Sequence, residues 1–125
     1  MTSPSARLRE LALTLPTVAA PAGSYVPARR SGALVFTAGQ LPFVDGALAA
    51  TGKIGGEVTP EQGKDLARTC ALNALAAVDA LVGLDAVAGV VKVVGFVASA
   101  PGFTGQPGVI NGASDLLADV FGEAG

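Results

Sequence analysis

One segment constrains the fold more than any other, because residues 59 to 83 have the pattern of a long amphipathic helix. Thr59 is followed by Pro60 and, three positions after Thr59, by Gln62, which is a capping box with proline at the first helical position. Gly83 supplies the stop. Apolar residues run along or beside one stripe between these ends: Leu66, Cys70, Leu72, Leu75, Val78 and Val82. Such a helix needs another layer of structure to cover it.

The remaining segments predict what that layer contains. Residues 4–13 predict a short helix within an N-terminal extension, 1–16, that ends at a proline. A hairpin leads into a strand over 33–38, and 90–99 is the most β-prone stretch of the chain. A second amphipathic helix follows over 107–121. The order predicts an α+β fold in which two helices cover one face of a sheet.

The length bounds the number of domains. At 125 residues and 12.2 kDa the chain has room for one core, so we predict a single domain over 1–125. Two amphipathic helices need a sheet of about four strands, whereas only three strands are convincing here. We therefore expect the last strands of the fold to be missing from this sequence.

The absence of histidine restricts the chemistry most. The sequence has no histidine, and Cys70 is its only cysteine. A zinc site of the usual His or Cys type, a Ser-His-Asp triad and a histidine general base are therefore excluded within one chain. Cys70 lies in the middle of the long helix, where a core position is more typical than a nucleophile.

Charge and hydropathy indicate the class of partner. The net charge is −2 and no long block of one sign occurs, which argues against nucleic acid as a partner. Only 14% of the residues are charged, which favours burial of some apolar surface against another subunit. No apolar run reaches about eighteen residues and the N-terminus does not resemble a signal peptide, so we expect a soluble, cytoplasmic protein with no membrane partner.

Five stretches, in this order and spacing, carry a resemblance to a known family. They are "GSYVPA" at 23–28, "LVFTAGQLP" at 34–42, the helix that begins at Thr59, "VVKVVGFVAS" at 90–99 and "VINGASDLLADVFG" at 109–122. The chain resembles the Rid (YjgF, RidA-like) family of small trimeric imine/enamine deaminases, formerly labelled L-PSP endoribonucleases. The resemblance implies a chorismate-mutase-like fold with a mixed sheet, and a homotrimer with a cleft between subunits.

The resemblance also implies three substrate-binding residues, Tyr25, Gln40 and Asn111. For each there is a simpler structural alternative. Gln40 could satisfy backbone groups next to Pro42, which lacks a donor. Tyr25 could be a half-buried aromatic residue with its hydroxyl at the surface, and Asn111 could cap a helix or face solvent.

Two departures from the family pattern bear on activity. Ala38 stands where other members carry a serine, so one pocket hydroxyl is lost. The arginine of an "ARS"-like strand, whose guanidinium can hold a substrate carboxylate bidentately, has no counterpart here. An acidic residue on the family's final strand is also missing. Arg29, Arg30, Arg68 and Lys92 are the cations that could replace the arginine, and none of them matches its position.

The resemblance implies an enzyme that hydrolyses reactive 2-aminoacrylate-type enamines or imines to 2-oxoacids and ammonia, without a cofactor or metal. Loss of the arginine keeps a second hypothesis open, a non-catalytic, chaperone-like trimer that binds a small 2-oxoacid. An endoribonuclease ranks last, because the sequence has no histidine pair, metal-ligand set or basic stripe. A cationic side chain facing Tyr25 and Gln40 would discriminate between the first two.

Overall fold

A computed structural model describes residues 2–125 and contains three helices and two hairpins. In chain order the elements are α1 (Pro4–Glu10), β1 (Ala28–Ser31), β2 (Leu34–Thr37), β3 (Phe43–Val44), β4 (Ala47–Leu48), α2 (Pro60–Val82) and α3 (Gln106–Phe121), with short 3-10 turns at Leu84–Ala86 and Gly122–Ala124. The predicted helices, the hairpin and the α+β class are thereby confirmed, with α1 ending three residues earlier than expected.

Helix α2 begins and ends where the sequence predicts. The Thr59 hydroxyl accepts a hydrogen bond from the backbone N–H of Gln62 at 3.1 Å, and the Gln62 side chain accepts one from the Thr59 N–H at 2.9 Å. These reciprocal bonds satisfy two donors that a helix N-terminus leaves without partners. Gly83 ends the helix with φ +78°, a conformation that residues with a Cβ rarely adopt.

The main core lies where α3 packs against α2. Leu116 is fully buried, and Leu75 of α2 and Val120 of α3 join the same cluster. The two backbones approach closely at Gly112, where an added Cβ would overlap the carbonyl oxygen of Lys64. A glycine is therefore required at that contact, since any larger residue would push the two helices apart.

Helix α1 packs on the same cluster through Leu8, which is buried. Its first turn is held by Asp85, whose carboxylate accepts hydrogen bonds from the Ser5 hydroxyl and backbone N–H. Both bonds lower the pKa of the Asp85 carboxyl below its ordinary value, and the bond from the Ser5 hydroxyl has the larger effect. The three helices thus share one core cluster, and the single domain over 1–125 stays a prediction.

The strands form two separate antiparallel sheets rather than one mixed sheet. Strands β1 and β2 pair from Ala28 opposite Thr37 to Ser31 opposite Leu34. Strands β3 and β4 form a two-residue hairpin around Asp45 and Gly46. Within residues 2–125 no ladder joins the two hairpins, so the continuous mixed sheet that the resemblance implies is absent from the described part of the chain.

The β-prone segment 90–99 also differs from its prediction, because it is not a strand of any sheet. The Val90 N–H donates to the carbonyl of Ala124, and the Ala98 carbonyl accepts from the N–H of Ile54, both at 2.7 Å. Between these ends, the N–H groups of residues 91–97 donate to no backbone acceptor of the described residues. Valine-rich sequence favours extended backbone, but a strand needs a neighbour to pair with.

This segment exposes large apolar side chains. Phe96 is 93% exposed and Val91 is 83% exposed. Unpaired backbone groups beside apolar side chains are a template for adventitious strand pairing between molecules. We expect Phe96→Lys to lower the tendency of the protein to precipitate, because it removes an exposed aromatic ring from this segment.

Ala98→Lys is the matched control, since it adds the same charge to an exposed residue of the same segment without removing an aromatic ring. Static light scattering against ammonium sulfate concentration measures the effect. Equal precipitation of the two variants would show that net charge alone, and not the exposed ring, controls solubility.

Candidate functional site

A small pocket lies between the loop that precedes β1 and the residues that follow β2. Tyr25 and Gln40 line it, with walls from Pro21, Leu41 and Phe43. The cavity volume is about 20 Å³, which is about the space that one water molecule requires. The structure thus brings together two of the three predicted site residues, which lie fifteen positions apart in the sequence.

Tyr25 is held in place by the backbone next to it. Its hydroxyl accepts a hydrogen bond from the N–H of Ala22 at 3.0 Å, and its own N–H donates to the Gly23 carbonyl. The side chain is 47% exposed, as the simpler alternative expected. Because the hydroxyl is an acceptor in the Ala22 bond, its hydrogen is free to donate to a ligand.

Gln40 is half-buried and lies three residues after Thr37, the last residue of β2. Among the described residues its side-chain amide makes no hydrogen bond, and in particular none with the backbone around Pro42. The structural alternative for Gln40 therefore has no support in residues 2–125. The amide offers a ligand two N–H donors and a carbonyl acceptor.

A residue that the sequence analysis missed, Asn73, holds the backbone at this position. It lies on α2 with a side chain only 2% exposed. Its amide nitrogen donates to the carbonyl of Leu41 at 3.0 Å and to the carbonyl of Phe43 at 3.1 Å. The available signal was an amide residue between Leu72 and Leu75, inside the region of α2 that the hydrophobic pattern assigns to the core.

Asn111, the third predicted site residue, lies elsewhere. It is exposed on α3 and does not line the pocket of Tyr25 and Gln40. Within one chain the structure therefore does not bring Asn111 to the other two residues. Its binding role stays a prediction, as do those of Tyr25 and Gln40.

None of the candidate cations lines the pocket. Lys92 borders a separate open cleft of about 200 Å³ between the 90–93 segment and α3. Arg30 donates to the carbonyl of Gly32 in the β1–β2 turn, and Arg29 and Arg68 are likewise outside the lining. The discriminating feature, a cation facing Tyr25 and Gln40, is not found in the described residues.

The remaining chemistry-bearing groups lie apart from the pocket. Burial raises the pKa of the Cys70 thiol, which lowers its thiolate fraction and its reactivity. In residues 2–125 no group of three or more histidine, cysteine or carboxylate side chains is arranged to hold a metal ion. None of the helices in the same range is both long and apolar enough to cross a membrane.

Comparison with known proteins identifies the family. A family model described as "YjgF/chorismate_mutase-like, putative endoribonuclease" matches residues 5–125. The chain belongs to the YjgF/chorismate-mutase-like family. It is 45% identical over 120 residues to "Protein TCP17" of Trypanosoma cruzi, a match that covers 95% of this chain and 75% of that protein.

Two solved structures resemble the fold. One is protein Atu1372 of Agrobacterium tumefaciens, which is described as of unknown function. It is 43% identical to this chain with a TM-score of 0.85, and the match covers 98% of this chain and 74% of the Atu1372 chain. A "putative endoribonuclease" of Shewanella oneidensis MR-1 is 32% identical with a TM-score of 0.86, over 98% and 82% of the two chains. The predicted family and its chorismate-mutase-like fold are thereby confirmed.

The hydrogen bond between Tyr25 and Ala22 generates a local prediction. In Tyr25→Phe the N–H of Ala22 loses its acceptor, so its hydrogen should exchange with solvent several-fold faster. The free energy of unfolding should fall by less than about 1 kcal/mol, because the N–H is exposed and gains water as a partner. Amide exchange by NMR and thermal unfolding measure the two effects, and an unchanged exchange rate at Ala22 would contradict the bond.

Proposed function

We propose that the pocket of Tyr25 and Gln40 binds a small 2-oxoacid or 2-iminoacid, and that the protein hydrolyses reactive 2-aminoacrylate-type enamines or imines. The observation that carries this proposal is that Tyr25 and Gln40 line one pocket with apolar walls, and that the Gln40 amide has no hydrogen-bond partner in residues 2–125. A few convergent polar groups in an apolar concavity are typical of small-molecule sites.

The reaction needs water, an oriented imine and a proton donor. Water adds to the imine carbon, the carbinolamine then loses ammonia, and a 2-oxoacid remains, so atoms balance without an oxidant or cofactor. Within one chain the pocket has room for about one water molecule, so we assign the substrate to the larger cleft that a second subunit would complete around it. We assign the Tyr25 hydroxyl the role of hydrogen-bond donor to the substrate, and Gln40 that of orienting the substrate or the attacking water.

No cationic side chain of residues 2–125 lines the pocket, which supports the alternative, a non-catalytic protein that binds a small 2-oxoacid. Neutral donors hold a carboxylate less strongly than a guanidinium fork does. Turnover and binding differ in what they require, since only turnover needs transition-state contacts. Ammonia release from enamine generated in situ distinguishes the two.

We further propose that the cleft is completed between subunits of a cytoplasmic homotrimer. Members of this family are generally oligomeric. Asn111 is exposed on α3 away from the pocket, so a second copy could bring it to Tyr25 and Gln40. The low content of charged residues, 14%, supports burial of further surface in an assembly.

Ribonuclease activity ranks last here, although the Shewanella relative carries that description. Cleavage of RNA needs a general acid and base at the phosphate and a basic surface for the backbone. The chain has a net charge of −2 and no histidine. Neither feature supports RNA as a substrate.

The binding role of Gln40 has a direct test. Gln40→Ala should weaken the affinity for pyruvate, used as the 2-oxoacid probe, by roughly three- to tenfold, the effect of losing one neutral hydrogen bond. Thermal stability should change little, because the side chain is half-buried and makes no hydrogen bond within residues 2–125. Titration calorimetry measures the affinity.

Gln106→Ala is the matched control for that experiment. It makes the same truncation, but it removes hydrogen bonds to Ser99 and Phe103, which lie outside the pocket. It should lower stability and leave pyruvate affinity within twofold of wild type. Equal affinity of Gln40→Ala and wild type would remove Gln40 from the binding site.

The assembly is tested separately. Native mass spectrometry at micromolar concentration should give particles of three identical subunits. Asn111→Ala should leave the trimer intact and weaken pyruvate binding, because the residue is proposed to contact the ligand across the interface. If the wild-type protein is a stable monomer and still binds pyruvate, the shared cleft is contradicted.

A further inference from the structure

Asn73 stands out as the one polar or charged side chain that is buried in residues 2–125. Burial of a polar group is unfavourable unless its hydrogen bonds are satisfied, and both hydrogens of the Asn73 amide nitrogen are used. The two acceptors are backbone carbonyls of the segment that follows Gln40. A position that only filled the core would be better occupied by an apolar residue.

The segment that Asn73 contacts has few other attachments. The Leu41 carbonyl also accepts from the Phe43 N–H, which closes a tight turn around Pro42, and the Pro42 carbonyl accepts from the N–H of Ala49. The N–H groups of residues 39–41 have no backbone acceptor in the described structure. Within residues 2–125, the two bonds from Asn73 are therefore the only side-chain hydrogen bonds from α2 to this turn.

The turn and the pocket share residues. Leu41 and Phe43, whose carbonyls Asn73 binds, are walls of the pocket, and Gln40 is bonded covalently to Leu41. The orientation of the Leu41 carbonyl fixes the plane of one peptide group beside the pocket. Rotation of that turn would move the Gln40 amide relative to Tyr25.

We propose that Asn73 is a positioning residue for the ligand pocket. Its two hydrogen bonds to the turn around Pro42, called the clamp below, hold that turn and thereby orient Gln40 and the apolar walls Leu41 and Phe43. This inference rests on the proposed function of the pocket. Asn73 does not touch the pocket space itself, so it acts through the turn.

The chemistry of the clamp requires a primary amide. An ionised aspartate has no donor and would place its oxygens against two carbonyl oxygens. A leucine of similar size would leave both carbonyls without this partner, and a serine has a single hydrogen to donate. The asparagine amide nitrogen carries two hydrogens and, on this short side chain, donates one to each of the two carbonyls.

The experiment compares Asn73→Leu and Asn73→Ser with Leu116→Ala, a destabilised control in the core between α2 and α3, away from the pocket. Pyruvate affinity is measured by calorimetry at a temperature at which every variant is folded. We expect about tenfold weaker binding for Asn73→Leu, a smaller loss for Asn73→Ser, and affinity within twofold of wild type for Leu116→Ala. Wild-type affinity in Asn73→Leu would overturn the proposal.

A second readout needs no ligand and so separates this inference from the proposed function. In 15N NMR spectra, Asn73→Leu should shift the Gln40 side-chain amide and speed hydrogen exchange at Phe43, whereas Leu116→Ala should leave both near their wild-type values. If the wild-type protein fails to bind pyruvate, the proposed function is wrong. The spectra still test whether Asn73 orients Gln40 and the turn around Pro42, because they need no ligand. Unchanged Gln40 and Phe43 signals in both Asn73→Leu and Asn73→Ser would overturn the clamp.

Discussion

The packing of α3 against α2 is the contact on which the rest of this structure depends. Gly112 lets the helices approach until their backbones touch at Lys64, and the leucine and valine side chains around them then close a core with Leu116 at its centre. The α1 helix and the β1–β2 and β3–β4 hairpins are attached to this pair. Because small hairpins are marginal by themselves, α2 serves as the surface that holds each of them in place.

The pocket lies between loops that flank the hairpins packed on α2. Tyr25 approaches from the loop before β1, and Gln40 from the segment after β2. Neither comes from a helix, so their geometry relies on backbone hydrogen bonds in loops, namely the bond from Ala22 to Tyr25 and the two bonds from Asn73. The polar groups that remain for a ligand are neutral. Such a site suits a small polar metabolite better than a highly charged one.

Local rules predicted the helices well and the sheet less well. The capping box at Thr59 and the stop at Gly83 depend on neighbours a few positions away, so their outcome could be read from the residues. The segment 91–97 has equally clear β propensity, yet whether it becomes a strand depends on a partner that propensity does not specify. In residues 2–125 that partner is absent, and valine and phenylalanine side chains stay exposed.

The sequence by itself determined the elements that begin and end on local signals, the family, and the exclusion of imidazole chemistry. It also supplied Tyr25 and Gln40 as candidates through the resemblance. Only the tertiary structure decided that these two share a pocket, that Asn111 lies apart from it in one chain, and that Asn73 fixes the turn around Pro42. The reason is that a buried amide is recognised by the carbonyls it binds, and those lie about thirty residues away in sequence.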